Sequence, residues 1–186
     1  MKTILNMATW LCVLITVASQ AQTSKDHEFG VTAGLWLSGD IELEDFGYTL
    51  EQGSSPMIKV NYDYYIVEKF CVGMYGTMAF TDYPDVNESA TMYEFGMTMK
   101  PRIPVSPKFT LKPGLNIGYR IYTDLPAGIT DVKGMGLNMS IEGQIKTGNN
   151  WTPHVEFGFL AQPVGGNDDT DVTFAPIWYI GGGVSF

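Results

Sequence analysis

Residues 174–186 read FAPIWYIGGGVSF, and this stretch decides the fold. Side chains alternate between the two faces of a strand, so Trp178, Ile180, Val184 and Phe186 share one face. Large apolar residues on one face, small residues on the other and a final aromatic residue are typical of the closing strand of a transmembrane β-barrel. The sequence therefore predicts a chain that enters a membrane as strands.

The beginning of the chain has the pattern of an export signal. Lys2 supplies a positive charge, residues 4–17 are largely apolar, and Ser19 and Ala21 are small residues of the kind that a signal peptidase recognises. We expect residues 1–21 to be a removed signal peptide and residues 22–186 to form one outer-membrane β-barrel domain. Cys71 is the only cysteine of that domain, so no disulfide is expected within it.

Eight stretches with period-two alternation follow this segment. Most exceed the ~5–6 residues usual for strands of soluble proteins and reach the ~9–11 residues that cross a bilayer at a tilt. An even number of strands is the rule for single-chain bacterial outer-membrane barrels. The predicted strands lie at about residues 28–39, 56–67, 69–81, 90–105, 109–123, 133–147, 151–163 and 174–186.

The segments between these strands alternate between long polar links and tight turns. With both termini in the periplasm, every short turn falls on the periplasmic side and every long link outside, as expected of outer-membrane barrels. We therefore predict an all-β, eight-stranded antiparallel up-and-down transmembrane barrel with periplasmic termini. The links cover residues 40–55, 82–89, 124–132 and 164–173, and the turns fall at Glu68, 106–108 and 148–150.

One face of the predicted strands carries no charged residue. A single Lys or Arg that faced lipid near the bilayer centre would cost ~2–4 kcal/mol, so this absence indicates a lipid-facing surface. The first three strands place on it Phe29, Val31, Ala33, Leu35, Leu37, Ile58, Val60, Tyr62, Tyr64, Ile66, Phe70, Val72, Met74, Met78 and Phe80. The later strands add residues such as Phe95, Met97, Ile117, Met139, Ile141, Phe157 and Phe159.

The opposite face carries charged residues of both signs, nearly in balance. The interior of an eight-stranded barrel is just wide enough for side chains to fill, so inward charges must pair with one another. We predict a structural polar network that plugs the lumen, with no catalytic, cofactor-binding or metal-binding residue. The inward set is Glu28, Lys59, Asp63, Glu94, Lys100, Arg102, Lys112, Arg120, Glu142, Lys146, His154 and Glu156.

Two features of the pattern leave alternatives open. A soluble lipocalin-like barrel also has eight strands and an export signal, with its apolar face turned inward, and alternation alone does not distinguish it. The long strands, the aromatic end and the lack of disulfides favour the membrane barrel. Pro113 lies inside the fifth predicted strand and removes a ladder donor, so we expect a bulge there or a later strand start.

The long links are strongly acidic, in a chain whose formal net charge is −9. Nucleic-acid binding relies on clustered Lys and Arg, so this class of partner is excluded. Acidic tips suit contact with anionic lipopolysaccharide through divalent cations, or they simply keep the loops hydrated. No dedicated metal site is expected, because neither acidic run matches an EF-hand loop. The acids are Asp40, Glu42, Glu44, Asp45, Glu51, Asp82, Asp85, Glu88, Asp124, Asp131, Asp168, Asp169 and Asp171.

Together, the signal segment, the eight alternating stretches, the short-turn and long-link asymmetry and the terminal GGGVSF resemble the small eight-stranded outer-membrane barrels typified by the OmpA transmembrane domain and OmpX. The resemblance implies a monomeric, porin-like barrel in the outer membrane of a Gram-negative bacterium, surrounded by lipid and lipopolysaccharide. It implies a function only weakly, because one fold hosts many functions.

Lipid A deacylases resemble this chain in size and use a His-x-Ser pair on one strand. Here the matching residues are His154-Val155-Glu156, so a glutamate replaces the nucleophilic serine. We therefore expect a non-enzymatic barrel with a structural or adhesive role and an unidentified partner for its loops. Transport of a small or hydrophobic solute is the alternative, which a larger apolar stretch inside the barrel would favour. A lipid-modifying enzyme is a third option, which Ser140 beside His154 would support.

Overall fold

The computed structural model describes residues 26–43, 47–123, 125, 132–147, 150–166 and 171–186. This part of the chain forms strands joined by short connections, and it contains no helix long and apolar enough to cross a membrane. The strands are β1 (His27–Trp36), β2 (Gly39–Leu43), β3 (Tyr48–Gln52), β4 (Ser55–Val67), β5 (Phe70–Tyr83), β6 (Glu88–Pro101), β7 (Ile103–Ser106), β8 (Phe109–Thr123), β9 (Val132–Ile145), β10 (Thr152–Gly166) and β11 (Asp171–Ser185).

Eight of these strands close into one antiparallel barrel. Neighbours follow the order β1, β4, β5, β6, β8, β9, β10, β11, and β1 pairs back onto β11 from Gly30↔Ser185 to Trp36↔Tyr179. The predicted all-β, eight-stranded antiparallel barrel is therefore confirmed, and the terminal strand does close it. We call the end with Glu68 and Lys69 the turn end, and the opposite end, where residues 84–87 join β5 to β6, the link end.

The prediction that residues 40–55 form a polar link is wrong. They contain the antiparallel pair β2–β3, which we call the hairpin β2–β3, with Gly47 at φ 56° just before β3. β2 pairs with β11 at Phe174↔Ile41 and with β3, so it prolongs β1, and β3 in turn prolongs β4. The physical reason is period-two alternation: Ile41 and Leu50 are buried, whereas their chain neighbours Asp40, Glu42 and Glu51 are exposed.

The prediction about Pro113 is only half right, because β8 starts at Phe109 and keeps an unbroken register with β9 through Pro113↔Ile141. The irregularity lies on the other side of β8. There the partner strand is interrupted at Arg102, which divides the predicted strand 90–105 into β6 and β7. A proline cannot donate to a neighbouring strand, and the break in the ladder falls where that donor is missing.

The two faces of the wall are sorted as the alternation predicts. Met97 is 66% exposed and Ile141 is 54% exposed on the outside, whereas the charged face points into the barrel. The soluble arrangement, with its apolar face inward, is thereby excluded. The expected signal segment at residues 1–21 and the predicted acids Glu44, Asp45, Asp124, Asp131, Asp168 and Asp169 lie outside the described residues, as do two residues of the predicted turn at 148–150.

Candidate functional site

The barrel interior is filled by side chains in three successive layers. Alternate residues of each strand point inward, so neighbouring strands contribute to one layer wherever their registers align. Nearest the turn end lies a charged cluster, which we call the turn-end cluster. Two ion pairs follow at mid-height, the central pairs, and an apolar layer lies nearest the link end, the apolar cap.

The turn-end cluster holds two lysines among three carboxylates. Lys100 Nζ lies 3.0 Å from Asp63 Oδ2 and 3.4 Å from a carboxylate oxygen of Glu142. Lys112 Nζ lies 2.7 Å from Glu28 Oε1 and 3.4 Å from Asp63 Oδ2. Because Asp63 receives both lysines on one oxygen, it joins strands β4, β6 and β8 across the interior.

Neutral side chains complete the bonding of this cluster. Gln144 donates to Glu28 and to Glu142, at 2.7 Å in both cases, and the Tyr65 hydroxyl donates to Glu28 at 2.8 Å. Buried charges are tolerable only when they are paired and hydrogen-bonded, and these neutral donors supply bonds that the two lysines leave unmade.

Of the central pairs, Lys59–Glu156 spans the interior, whereas Arg120 and Glu94 lie opposite each other on the neighbouring strands β8 and β6. Lys59 Nζ lies 2.5 Å from Glu156 Oε1, which also accepts a hydrogen bond from the Tyr179 hydroxyl at 2.7 Å. Arg120 lies 2.5 Å from Glu94, whose carboxylate also accepts from Tyr75 and Asn138. Each carboxylate thus has one cationic and at least one neutral donor, an arrangement suited to a dry interior.

His154 is buried near the turn end between two hydroxyls. Thr32 Oγ1 lies 2.8 Å from Nε2, and Ser185 Oγ lies 3.1 Å from Nδ1, with Glu142 Oε1 3.9 Å from the same Nδ1. In a serine triad the hydroxyl and the acid occupy opposite ring nitrogens, whereas Ser185 and Glu142 share one. Thr32 is completely buried, so this histidine has the environment of a packed interior residue.

Ser140 does not sit beside His154. It pairs across β9 and β10 with Gly158, whereas His154 pairs with Gln144, nearer the turn end. The strand register therefore does not bring Ser140 beside His154, which is the arrangement that would favour a lipid-modifying enzyme.

The sequence-derived network residues fall into two groups. Arg102 lies just past β6, with its guanidinium 5.5 Å from the centre of the Tyr65 ring, and Lys146 is exposed beyond the end of β9. Lys146 therefore lies outside the buried network, because β9 ends before its side chain would enter the barrel. The nine residues Lys59, Asp63, Glu94, Lys100, Lys112, Arg120, Glu142, His154 and Glu156 are buried together, each at most 4% exposed.

Sequence reasoning missed the apolar cap. Towards the link end, the inward positions change from charged to apolar, and the hairpin β2–β3 adds two more apolar side chains. The signal for the cap is the presence of large apolar residues at inward positions near the strand ends, whereas the inward charges predict only the polar network. The cap comprises Trp36, Ile41, Leu50, Met57, Ala79, Tyr83, Ala90, Met92, Tyr122, Leu125, Val132, Leu160, Ile177 and Tyr179.

The cap and the central pairs meet with little space between them. A cavity of about 10 Å³ lies among Trp36, Lys59 and Tyr75. A cavity of this size is at the lower limit for one water molecule. Trp36 is 0% exposed and Met57 is 3% exposed, so the cap is packed like the core of a soluble protein.

Comparison with solved structures places the fold among outer-membrane β-barrels. The crystal structure of Neisserial surface protein A superposes with a TM-score of 0.61 at 12% identity, over 87% of this chain and 96% of that one. The outer membrane protein OprG from Pseudomonas aeruginosa gives 0.55 at 16% identity, over 89% and 98%. The outer membrane protease OmpT from Escherichia coli gives 0.50 at 7% identity, over 88% and 97%.

Sequence comparison adds no family to this result, because no protein-family model matches the chain and no curated protein matches it. The structural similarity is therefore a similarity of fold. The similar structures include a surface protein and a protease, so the fold alone does not determine whether such a barrel is an enzyme.

Proposed function

We propose that this chain, which has the fold of the small outer-membrane β-barrels, is a non-enzymatic, non-conducting barrel of the bacterial outer membrane with a structural or adhesive role. The observation that carries the proposal is the filled interior. Nine ionisable side chains at most 4% exposed lie below an apolar layer of comparable burial. An ion crossing the lumen would have to displace side chains of the turn-end cluster, the central pairs and the apolar cap.

The adhesive part of the proposal rests on the hairpin β2–β3. Its buried residues Ile41 and Leu50 anchor it in the apolar cap, which makes it a firm extension of the barrel. Its other face exposes Asp40, Glu42 and Glu51. With the turn end in the periplasm, this acidic face lies at the cell surface, where divalent cations can bridge it to anionic lipopolysaccharide.

The first experiment measures membrane folding and conductance on one preparation. The mature chain, folded in detergent, is compared with and without boiling by gel mobility, and the same sample is recorded in planar bilayers. We expect a mobility shift and no steady conductance. A shift accompanied by steady conductance would overturn the closed interior, and a chain soluble in plain buffer without a shift would overturn the membrane barrel.

A second experiment tests the acidic face. Lipopolysaccharide retained by the folded barrel is measured with calcium and with a chelator, for the wild type and for D40N/E42Q/E51Q. We expect calcium-dependent retention that the triple variant loses. The matched control is E68Q, because Glu68 is an exposed acid at the turn end. Equal retention by all three proteins contradicts the adhesive role and leaves the closed barrel standing.

Transport of a hydrophobic solute is the second candidate, and the apolar cap is the observation that favours it. An apolar interior is what such a solute requires, and the cap lies directly above the central pairs. The tight packing of the cap disfavours it, because the adjoining cavity has only about 10 Å³. Uptake of a hydrophobic dye into vesicles that contain the barrel discriminates the two proposals.

A further inference from the structure

The outer face of the barrel contains an apolar groove on β9, β10 and β11. Its volume is about 350 Å³, at the lower end of the range for small-molecule sites. Met139 and Phe159 stand on one side and Ile141 and Phe157 on the other, and the two phenylalanines form an aromatic wall with Trp178 of β11.

The aromatic wall is built by one tryptophan held between two phenylalanines. The Trp178 ring stacks on Phe157, with ring centres 5.3 Å apart and an angle of 17° between their planes. It meets Phe159 at 4.9 Å and an angle of 57°. Such contacts fix ring orientation beyond what simple burial would do, so the wall is preformed.

The floor of the groove is bare backbone. Ser140 and Gly158 pair directly across β9 and β10, and neither places a side chain on the outer face. Gly158 has none, and Ser140 is 5% exposed because it points inward. The neighbouring pairs Met139↔Phe159 and Ile141↔Phe157 stand on either side of this floor. The groove therefore exists because two large outward pairs are separated by a pair with no outward side chain.

We propose that this groove seats one acyl chain of a membrane lipid. The groove opens on the uncharged outer face of a transmembrane barrel and is continuous with the surface that lipid covers. Its lining offers hydrocarbon and ring faces, so a ligand with polar groups at this depth would leave them unbonded. An acyl chain has the matching chemistry, and each buried methylene contributes ~0.8 kcal/mol. Binding of an acyl chain in this groove rests on the proposed membrane insertion, but not on the proposed adhesive role of the hairpin β2–β3.

The test counts lipids that stay with the folded barrel. The mature chain is folded in dioleoylphosphatidylglycerol vesicles and transferred to detergent, and native mass spectrometry counts the lipids retained per chain. We expect one retained lipid, and the same with dioleoylphosphatidylcholine, because the seat holds the chain and not the headgroup. M139W fills the groove, and we expect it to lower retention at least about fivefold.

The matched control is M97W, which adds the same ring at another outward methionine. Met97 is 66% exposed on β6, away from the groove. Gel mobility confirms that each variant is folded, and I141F provides a smaller filling change if M139W fails to fold. Retention that is equal in M139W and M97W, retention that follows the headgroup, or a dimer that M139W abolishes would each overturn the proposal.

A second measurement reports on contact in the bilayer itself. In a W151F background, lipids brominated on the acyl chain are titrated into the vesicles while tryptophan emission is recorded. Trp36 is 0% exposed inside the barrel, so quenching at low bromolipid fraction reports Trp178. We expect I141F to shift this quenching to higher fractions. An unchanged curve contradicts the seat.

Discussion

Lys59 and Glu156 meet across the barrel interior at 2.5 Å, although their strands, β4 and β10, are separated by β1 and β11. Both side chains are at most 3% exposed. The pair therefore ties opposite parts of the wall together through a dry interior, and removing one partner leaves a buried, unpaired charge.

We expect K59M to lower the free energy of unfolding by ~3–5 kcal/mol, because among the described residues Glu156 then keeps only the Tyr179 hydroxyl as a donor. The double variant K59M/E156M removes both charges and is expected to recover most of the loss. Urea unfolding in lipid vesicles, followed by gel mobility, measures both. A double variant no more stable than K59M would show that the pair is not the source of the loss.

Gly158 is the second target, because its inner side lies against the Tyr179 ring. A Cβ atom added at Gly158 would overlap that ring, so G158A must displace Tyr179 and weaken its hydrogen bond to Glu156. We expect a loss of ~1–3 kcal/mol in the same unfolding assay. The control is G182A, where the nearest atom to an added Cβ is the His154 carbonyl oxygen at 3.8 Å. Equal losses in both variants would contradict the packing argument.

A charge on the outer face tests membrane insertion residue by residue. Met97 is 66% exposed on the outer face of β6, between the outward residues Met74 and Ile117, and M97R is expected to cost ~2–4 kcal/mol. Val105, 58% exposed on β7 beyond the break at Arg102, lies close to the turn end, and V105R is expected to cost ~0–1 kcal/mol. The free energy of unfolding is measured in vesicles. A similar loss for M97R and V105R would show that Met97 does not lie deeper in the bilayer than Val105.

The hairpin β2–β3 carries two acids in direct opposition. Asp40 pairs with Glu51 across the two strands, and both are exposed. Like charges in this position are destabilising, so E51K should strengthen the hairpin by less than about 1 kcal/mol. Slower proteolysis within residues 39–52 measures the gain, and the difference should shrink in high salt because exposed charges are screened. Faster cleavage of E51K would contradict the expectation.

Strand positions and the outward face were predictable, because each depends on local alternation. Met97 and Phe157 face outward for the same reason that Glu94 and Glu156 face inward. The hairpin β2–β3 was not predicted, because its many acids are typical of a loop even though Ile41 and Leu50 alternate with them. Pro113 coincides with a break in the neighbouring strand, between β6 and β7, and not in β8 itself. The sequence does not show which neighbour would have received the hydrogen bond that proline cannot donate.

The partners within the interior could not be read from the sequence. The contact between Lys59 and Glu156 requires the registers of β4 with β1, β1 with β11 and β11 with β10 at once. The charge balance of the inward set predicted that pairs would form, but not which ones. The apolar cap needed the same three-dimensional information, since Ile41 and Leu50 reach it only through the hairpin.

The seam between β1 and β11 joins the first and last strands of the barrel, with Gly30 opposite Ser185. Contacts between residues so distant along the chain make a high contact order, which slows folding because loop-closure entropy is lost before the contacts form. Until the seam forms, both edge strands expose unpaired amides that lipid cannot satisfy. A chain halted before β11 would therefore have no stable inserted form. Insertion of the strands into the bilayer and pairing of β1 with β11 then occur in a single step.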